Sequence, residues 1–409
     1  MVKLSLKVKS IKENASLELN QKISEAIRHG EKIYDLTASE FPFKPLPAFV
    51  DQIRGELNFL KSFQYASPLG LPELRNKLKN YFLRSRDLDL GPDGSDYDCL
   101  ISNGSQQALH NVFGGLIEEG DEVIIFAPYS SSYPDMIKLY GGVCKFVRSN
   151  IYDNFEPSLD DVEELISEKT KAVVINSPNN PVGAAYSSFW MKGFGELMKK
   201  HEHVFLLSDE IYFNVYYYDP KPTYFYQYYP ELLGRTFIVD GISKSLAVSG
   251  LRLGYCFGPS VGLQGFSKLQ MVTTSCASSL IQRSLLNFDF SLFDSFLKPI
   301  KAHLRTNAEI LRHYFREGNL SHTWYQSNSA LYFLIDFSQM PIINVFKQEQ
   351  DDKRDYSEKI CELILEKFGV AVSPGVDYGA PNTGRISLVL EKEPFEEAIS
   401  KLIQFLISD

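Results

Sequence analysis

A few polar residues in the middle of the chain carry types and spacings that could do chemistry. Ser243-Lys244 is followed eight residues later by Arg252 within Gly250-Leu251-Arg252-Leu253-Gly254. Upstream lie Asp209-x-x-Tyr212, Asn180 in the turn Asn176-Ser177-Pro178-Asn179-Asn180-Pro181-Val182-Gly183, and the turn Asn103-Gly104-Ser105. A lysine can form a Schiff base with an aldehyde, and an aspartate can hold a pyridine nitrogen protonated so that the ring accepts electrons. Asn and Tyr can hydrogen-bond a ring oxygen, while a helix N-terminus with Ser243 and Arg252 can take a phosphate. Together these groups suit an aromatic aldehyde phosphate, and pyridoxal 5'-phosphate needs all of them.

The elements around them explain how such a set could converge. Short runs rich in Val, Ile or Phe predict strands at Glu122 to Phe126, Cys144 to Val147, Ala172 to Ile175, Val204 to Leu207, Thr236 to Val239 and Leu253 to Phe257. Amphipathic segments alternate with them, as in an α/β fold with a mostly parallel sheet covered by helices. Gln106 to Ile117 places Leu109, Val112, Phe113 and Leu116 at the helical period, directly after the Asn103-Gly104-Ser105 turn. Pro128-Tyr129, Asn176 to Gly183, Asp209 and Ser243-Lys244 each follow a predicted strand. In an open parallel sheet ligands bind beyond the carboxyl ends of the strands, so one crevice is expected. After about residue 290 the pattern changes to long helical segments such as Tyr356 to Lys367, mixed with strand-like runs at Ala330 to Phe337 and Arg385 to Leu390. The expected organisation is a large cofactor-binding domain over 51–290 and a smaller α+β domain over 291–409, joined by residues 1–50.

Composition narrows the classes. Apolar residues make up 44% of the 409 and charged residues 23%, which leaves room for a large core and excludes a disordered chain. Forty-two basic against 51 acidic residues give a formal charge of -9, so no general basic field attracts nucleic acid or anionic lipid. Five cysteines, Cys99, Cys144, Cys256, Cys276 and Cys361, show neither a Cys-x-x-Cys pair nor a regular spacing, as expected of reduced thiols in a cytoplasmic protein. No stretch approaches the ~20 apolar residues of a membrane span.

The motifs Asn176 to Gly183, Ser208-Asp209-Glu210-Ile211-Tyr212 and Ser243-Lys244-Ser245 running to Gly254-Tyr255 resemble the class I/II aminotransferases, within the fold type I pyridoxal 5'-phosphate-dependent enzymes. The likeness extends through Tyr65 to Arg75, Asn103 to Leu109, Val370 to Gly375 and Gly384-Arg385-Ile386-Ser387. It implies an aminotransferase moving an amino group between an L-amino acid and a 2-oxo acid, working as a homodimer with shared active sites. Lys244 would form the Schiff base, Asp209 would pair with the ring nitrogen, and Asn180 and Tyr212 would bind the ring oxygen. Gly104, Ser105, Gln106, Ser243 and Arg252 would surround the phosphate, with Tyr65 reaching across from the other subunit. Arg385, opening its predicted strand, would grip the substrate's α-carboxylate.

Four positions depart from the family pattern. Ser130 stands where an aromatic residue commonly stacks on the cofactor ring, which leaves Tyr129 or Tyr133 to replace it, and Tyr129 is favoured. Ser39 replaces a glycine beside the substrate, so its side chain should narrow the carboxylate end of the pocket. Val182 replaces a threonine, and Ser327-Asn328-Ser329-Ala330 replaces a Gly-rich and Pro-rich segment. Another reaction on the same cofactor, such as β-elimination, decarboxylation, cyclisation or oxidation, fits the same motifs; a non-catalytic cofactor-binding regulator fits less well. His201-x-His203 reads as a solvated helix end rather than a metal site, Asp351 to Asp355 as a solvated charge run, and the tyrosines between Tyr216 and Tyr229 as packing and loop cover.

Overall fold

The computed structural model describes residues 2–11, 15–320, 325–341, 343 and 355–407; most of the Asp351 to Asp355 run lies outside them. Its strands are β1 (Tyr34–Asp35), β2 (Tyr97–Ser102), β3 (Glu122–Ala127), β4 (Val143–Arg148), β5 (Thr170–Asn176), β6 (Phe205–Asp209), β7 (Thr236–Gly241), β8 (Gly254–Pro259), β9 (Tyr332–Asp336), β10 (Val370–Ala371), β11 (Ser373–Pro374) and β12 (Thr383–Ser387). Seven form a sheet in the order β2-β8-β7-β6-β5-β3-β4. Pairing is parallel from β7 through β6, β5 and β3 to β4, whereas β8 runs antiparallel to both β7 and β2.

The central strands read as nearly unbroken apolar text because both faces of the sheet are covered. On one face the helix Ser105–Leu116 buries Ala108, Leu109, Val112 and Phe113 with Ile125, Val174 and Val239. On the other, Trp190, Phe194, Phe225 and Phe82 join Ile124, Phe126, Val173 and Leu206. Phe82 and Phe257 stack with ring centroids 4.1 Å apart.

A second core lies against the 26-residue helix Leu292–Glu317 and the antiparallel sheet β11-β12-β9. The N-terminal segment joins it: β1 pairs in parallel with β10, and the Ser387 N–H donates to the Leu36 carbonyl at 2.7 Å. Arg385 sits in the middle of β12, with Thr383 and Gly384 already paired to β9, so it does not open the strand as its sequence suggests. Glycine spacing hid the two residues that start that strand.

The two cores meet where the strands of the large sheet end. A Cβ on Gly183, which has φ +78°, would lie 1.9 Å from the Tyr332 carbonyl oxygen. Only glycine lets the Asn-Pro turn after β5 press against β9 there. Ser327 closes the same seam, its hydroxyl lying 2.9 Å from the Gly183 carbonyl.

Candidate active site

The carboxyl ends of β3, β5, β6 and β7 converge on one cavity of about 260 Å³. Ser130 after β3, Asn176 at the end of β5 and Asn180 after it, Asp209 at the end of β6 and Tyr212 after it, and Ser243 and Lys244 after β7 all line it. Ser39, Ser105, Gln106 and Arg252, also expected, lie within the same cavity, together with Leu109, Ile211, Glu40 and Ser249.

One end of this cavity is built for an anion. The helix Ser105–Leu116 begins there, and Gly104, with φ +82°, forms its N-cap. A Cβ on Gly104 would lie 2.4 Å from Arg252 Nη2, so the bare glycine lets the guanidinium lie against the helix start. Arg252 itself has φ +52°, in the left-handed region, a strain of order 1 kcal/mol tolerated where function over-determines the backbone. Its Nη1 donates to the Ser249 carbonyl at 2.9 Å. Helix N–H groups, a guanidinium and two serine hydroxyls are a phosphate-binding donor set.

Asp209 supplies the negative charge elsewhere in the cavity. It is 5% exposed, and burial pushes its carboxyl up to about 6, against the opposing hydrogen bond from Tyr133. The Tyr133 hydroxyl donates to Asp209 Oδ2 at 2.5 Å. Asn176 braces the neighbourhood, donating from Nδ2 to the Asp209 carbonyl at 3.1 Å while its Oδ1 accepts from the Asn180 N–H at 2.9 Å. Lys244 Nζ lies over the Tyr212 ring, 5.6 Å from the centroid, and donates to the Ser39 carbonyl.

Arg385 reaches the cavity wall from β12. Its Nη1 donates to Asn180 Oδ1 at 3.0 Å, and its Nη2 donates to the Thr37 carbonyl at 3.0 Å and to Ser39 Oγ at 3.3 Å. Its guanidinium is sandwiched between the rings of Tyr332 and Tyr378, 4.4 and 4.8 Å from their centroids. Nε is buried with no partner among the described residues, a donor left for an incoming acceptor.

Two expected residues stand apart from this group. Tyr129 turns away: its ring stacks on Phe146 at 5.3 Å and lies against Gly379, while its N–H donates to the Tyr378 carbonyl at 3.0 Å. It therefore does not offer a ring to the cavity, correcting the expectation that it replaces the aromatic missing at Ser130. Tyr133, the other candidate, is committed to Asp209. Tyr65 is 89% exposed on the outer surface of this chain, outside the cavity.

Sequence reasoning missed Tyr332. Its hydroxyl shares a 2.9 Å hydrogen bond with the Tyr212 hydroxyl, from 120 residues away in the chain. Burial pushes this phenol up, but nearby Arg385 and Lys244, with hydrogen bonds from Ser39 and Tyr212, bring it below the usual phenol range. Tyr212 is held well above that range, chiefly by burial and then by Tyr332. The run Ala330-Leu331-Tyr332-Phe333 reads as core strand, so nothing local marks one of its aromatics as a site residue. In the tyrosine-rich stretch, packing is the role that Tyr224 and Tyr226 take. Tyr224 and Tyr226 are fully buried, stacked 5.3 Å apart, and donate to the Ser177 carbonyl and to Glu210 Oε1.

Comparison with known proteins adds to the geometry. The model of the family described as aminotransferase class I and II matches residues 31–402. An aspartate aminotransferase of Thermotoga maritima is 31% identical over 409 residues, covering 99% of this chain and 100% of that one. An aspartate/prephenate aminotransferase of Thermus thermophilus is 30% identical over 411 residues, covering 98% of each. Among solved structures, the Thermus thermophilus aspartate aminotransferase with maleate superposes with a TM-score of 0.88 at 29% identity, covering 99% of this chain and 100% of that one.

Proposed function

The chain belongs to the class I and II aminotransferases, which depend on pyridoxal phosphate, and from that premise we propose that it transfers an amino group between an L-amino acid and a 2-oxo acid with Lys244 as the lysine that holds the cofactor. The observation that carries the assignment is the gathering of Lys244, Asp209, Tyr212, Asn180, Ser243 and Arg252 around one cavity. These residues fit the cofactor: an anion cradle sits at Gly104 and Arg252, a buried carboxylate at Asp209, and the amine of Lys244 in the same cavity.

Bound pyridoxal phosphate supplies an electron sink for bond breaking at the amino acid's α-carbon. In this reading Asp209 keeps the proton on the ring nitrogen, and Tyr133 holds Asp209 in place. Asn180 and Tyr212 hydrogen-bond the ring oxygen. Arg252, Ser243 and the N–H groups of Ser105 and Gln106 neutralise the phosphate. Arg385 orients the substrate through its α-carboxylate, exchanging its present bonds to Ser39 and Asn180 for a paired contact that Nε can join. Lys244 Nζ, once released, takes the proton from Cα as general base. Ser39 links the two cations, its carbonyl accepting from Lys244 Nζ and its hydroxyl from Arg385 Nη2.

The same reading assigns a homodimer in the cytoplasm. Leu57, Phe59, Leu60, Phe63, Tyr65, Met271 and Val272 are exposed. The segments that carry them adjoin the cavity: Gln270 Nε2 donates to the Pro68 carbonyl at 2.6 Å, and Gln107 Nε2 donates to Thr274 Oγ1 at 2.6 Å. A second copy covering this apolar surface would bring its Tyr65 toward the phosphate end. Among the described residues no helix is long and apolar enough to cross a membrane.

The test is borohydride reduction of the cofactor-loaded protein followed by peptide mapping. The label is expected on Lys244, and a label on any other lysine overturns the assignment.

A further inference from the structure

Behind the wall of the cavity lies a group of buried charges with no part in the mechanism above. Arg86, just past the helix Pro72–Ser85, has no solvent exposure. Its Nε and Nη2 donate to Glu210 Oε2 at 3.2 and 2.9 Å, and Nη2 also donates to Asp240 Oδ2 at 3.2 Å. The guanidinium lies 3.5 Å from the centroid of the Phe213 ring. Both acids have further donors: Ser208 and Tyr226 hydroxyls reach Glu210 Oε1 at 2.8 and 2.7 Å, and the Tyr255 hydroxyl and Gly241 N–H reach Asp240 at 3.0 and 2.7 Å. These donors offset part of the cost of burying the two charges; burial still pushes both carboxyls up, Glu210 to about 7, against the pull of Arg86.

The place of the two acids in the chain gives the cluster its meaning. Glu210 directly follows Asp209, and Asp240 precedes Lys244 by four residues. Asp209 and Val239 are opposite each other on the paired strands β6 and β7, and the Glu210 N–H donates to the Val239 carbonyl at 2.8 Å. Arg86 therefore ties the end of the strand that carries Asp209 to the end of the strand that leads into Lys244. Glu210 and Asp240 share one guanidinium, and Asp240 also faces Asp209, so the cluster presents negative charge from behind to whatever Asp209 holds.

We propose that Asp240, ion-paired with Arg86, is a positioning residue for the transfer reaction, a second buried acid that supports Asp209 from behind the cavity. The proposal rests on the reading of Asp209 and Lys244 as partners of the cofactor. Consistent with it, the charge of Asp240 adds to burial in pushing the Asp209 carboxyl up. The titratable and charged groups that face Asp240 are Arg86, Glu210, Asp209 and the phenols of Tyr81, Tyr224 and Tyr255, with burial pushing all three phenols up.

The experiment follows the absorbance of the bound cofactor against pH in the holoenzyme. Negative charge nearby makes a proton harder to lose, so removing it should lower the pH midpoint of the cofactor's spectral transition. Asp240→Asn keeps the shape of the side chain and an oxygen to accept from the Gly241 N–H, and should move that midpoint down by at least ~0.5 unit. Asp240→Glu keeps the charge and should restore the midpoint toward the parent value even where it lowers the melting temperature. An unmoved midpoint in a folded Asp240→Asn protein, or the same shift in both variants, overturns the proposal. If Asp240→Asn does not fold, Arg86→Lys decides instead: it keeps the charges and should leave the midpoint in place, and a shift there means that packing rather than charge sets it. Borohydride mapping on the same samples separates the two readings, because a label absent from Lys244 refutes the site assignment, whereas a label on Lys244 with an unmoved midpoint refutes only the role of Asp240.

Discussion

Tyr133 and Asp209 are joined by a buried 2.5 Å hydrogen bond in which the phenol donates to the carboxylate. Tyr133 stands three residues after Ser130, where the family commonly places a ring over the cofactor, yet it is spent holding the acid from the side. Burial and the neighbouring Asp209 push the phenol well above its ordinary range, so it remains a donor throughout the working pH range. Removing the hydroxyl should free the carboxylate to rotate and to take up a proton. We expect Tyr133→Phe to fold and to lower kcat by roughly 10- to 100-fold, corresponding to the ~1.5–3 kcal/mol of a hydrogen bond to a charged group. Steady-state kinetics at saturating cofactor check this, and an unchanged kcat would show that Asp209 is placed without Tyr133.

Asp209 also links stability to pH in the cofactor-free protein. Its carboxyl is raised from 3.8 to about 6 in the folded state, with burial the leading cause. A raised value means that folding favours the protonated form, so the associated stability is present below about pH 4 and is lost as pH rises through about 6. The loss is at most about 3 kcal/mol, from a shift of about two units at 1.36 kcal/mol each. Asp209→Asn removes the titration, so denaturant unfolding of the cofactor-free variant should vary less between pH 4 and 6 than that of the parent. Parallel pH profiles would contradict the assignment of this titration to Asp209.

Arg385 is the guanidinium assigned to the substrate's α-carboxylate. Lysine in its place would keep a charge but lose the planar fork and the stacking between Tyr332 and Tyr378. Arg385→Lys should therefore reduce kcat/KM for all amino acids by a similar factor, on the order of 2–5 kcal/mol for a desolvated pair, with cofactor affinity unchanged. A loss confined to acidic amino acids would mean that Arg385 reads the side chain instead.

The cations available within this chain bear on which amino acid is used. Among the described residues, Lys244 and Arg252 line the cavity and Arg385 reaches its wall. Each has a role in the mechanism above, while Gln106, Leu109 and Ile211 are neutral and Glu40 adds a carboxylate to the lining. We expect kcat/KM for aspartate not to exceed that for neutral amino acids of similar size. A preference for aspartate above tenfold would place a further cation in the site from the partner subunit.

The residues that line the cavity were legible in the sequence because their signals are short and local. Lys244, Asp209 and Asn180 each lie at or just past the end of a short apolar run that reads as a strand, and Arg252 stands two residues before the next such strand. Side-chain direction and remote pairing are different in kind. Whether Tyr129 faces the cavity depends on Phe146 and Gly379, and whether Tyr332 joins the site depends on a glycine 149 residues earlier in sequence. The ion pair of Arg86 with Asp240 spans 154 residues. Such contacts leave no periodicity in the chain, since each is decided by which buried polar group must find a partner once the sheet and its covering helices have excluded water. Only the assembled core could settle them.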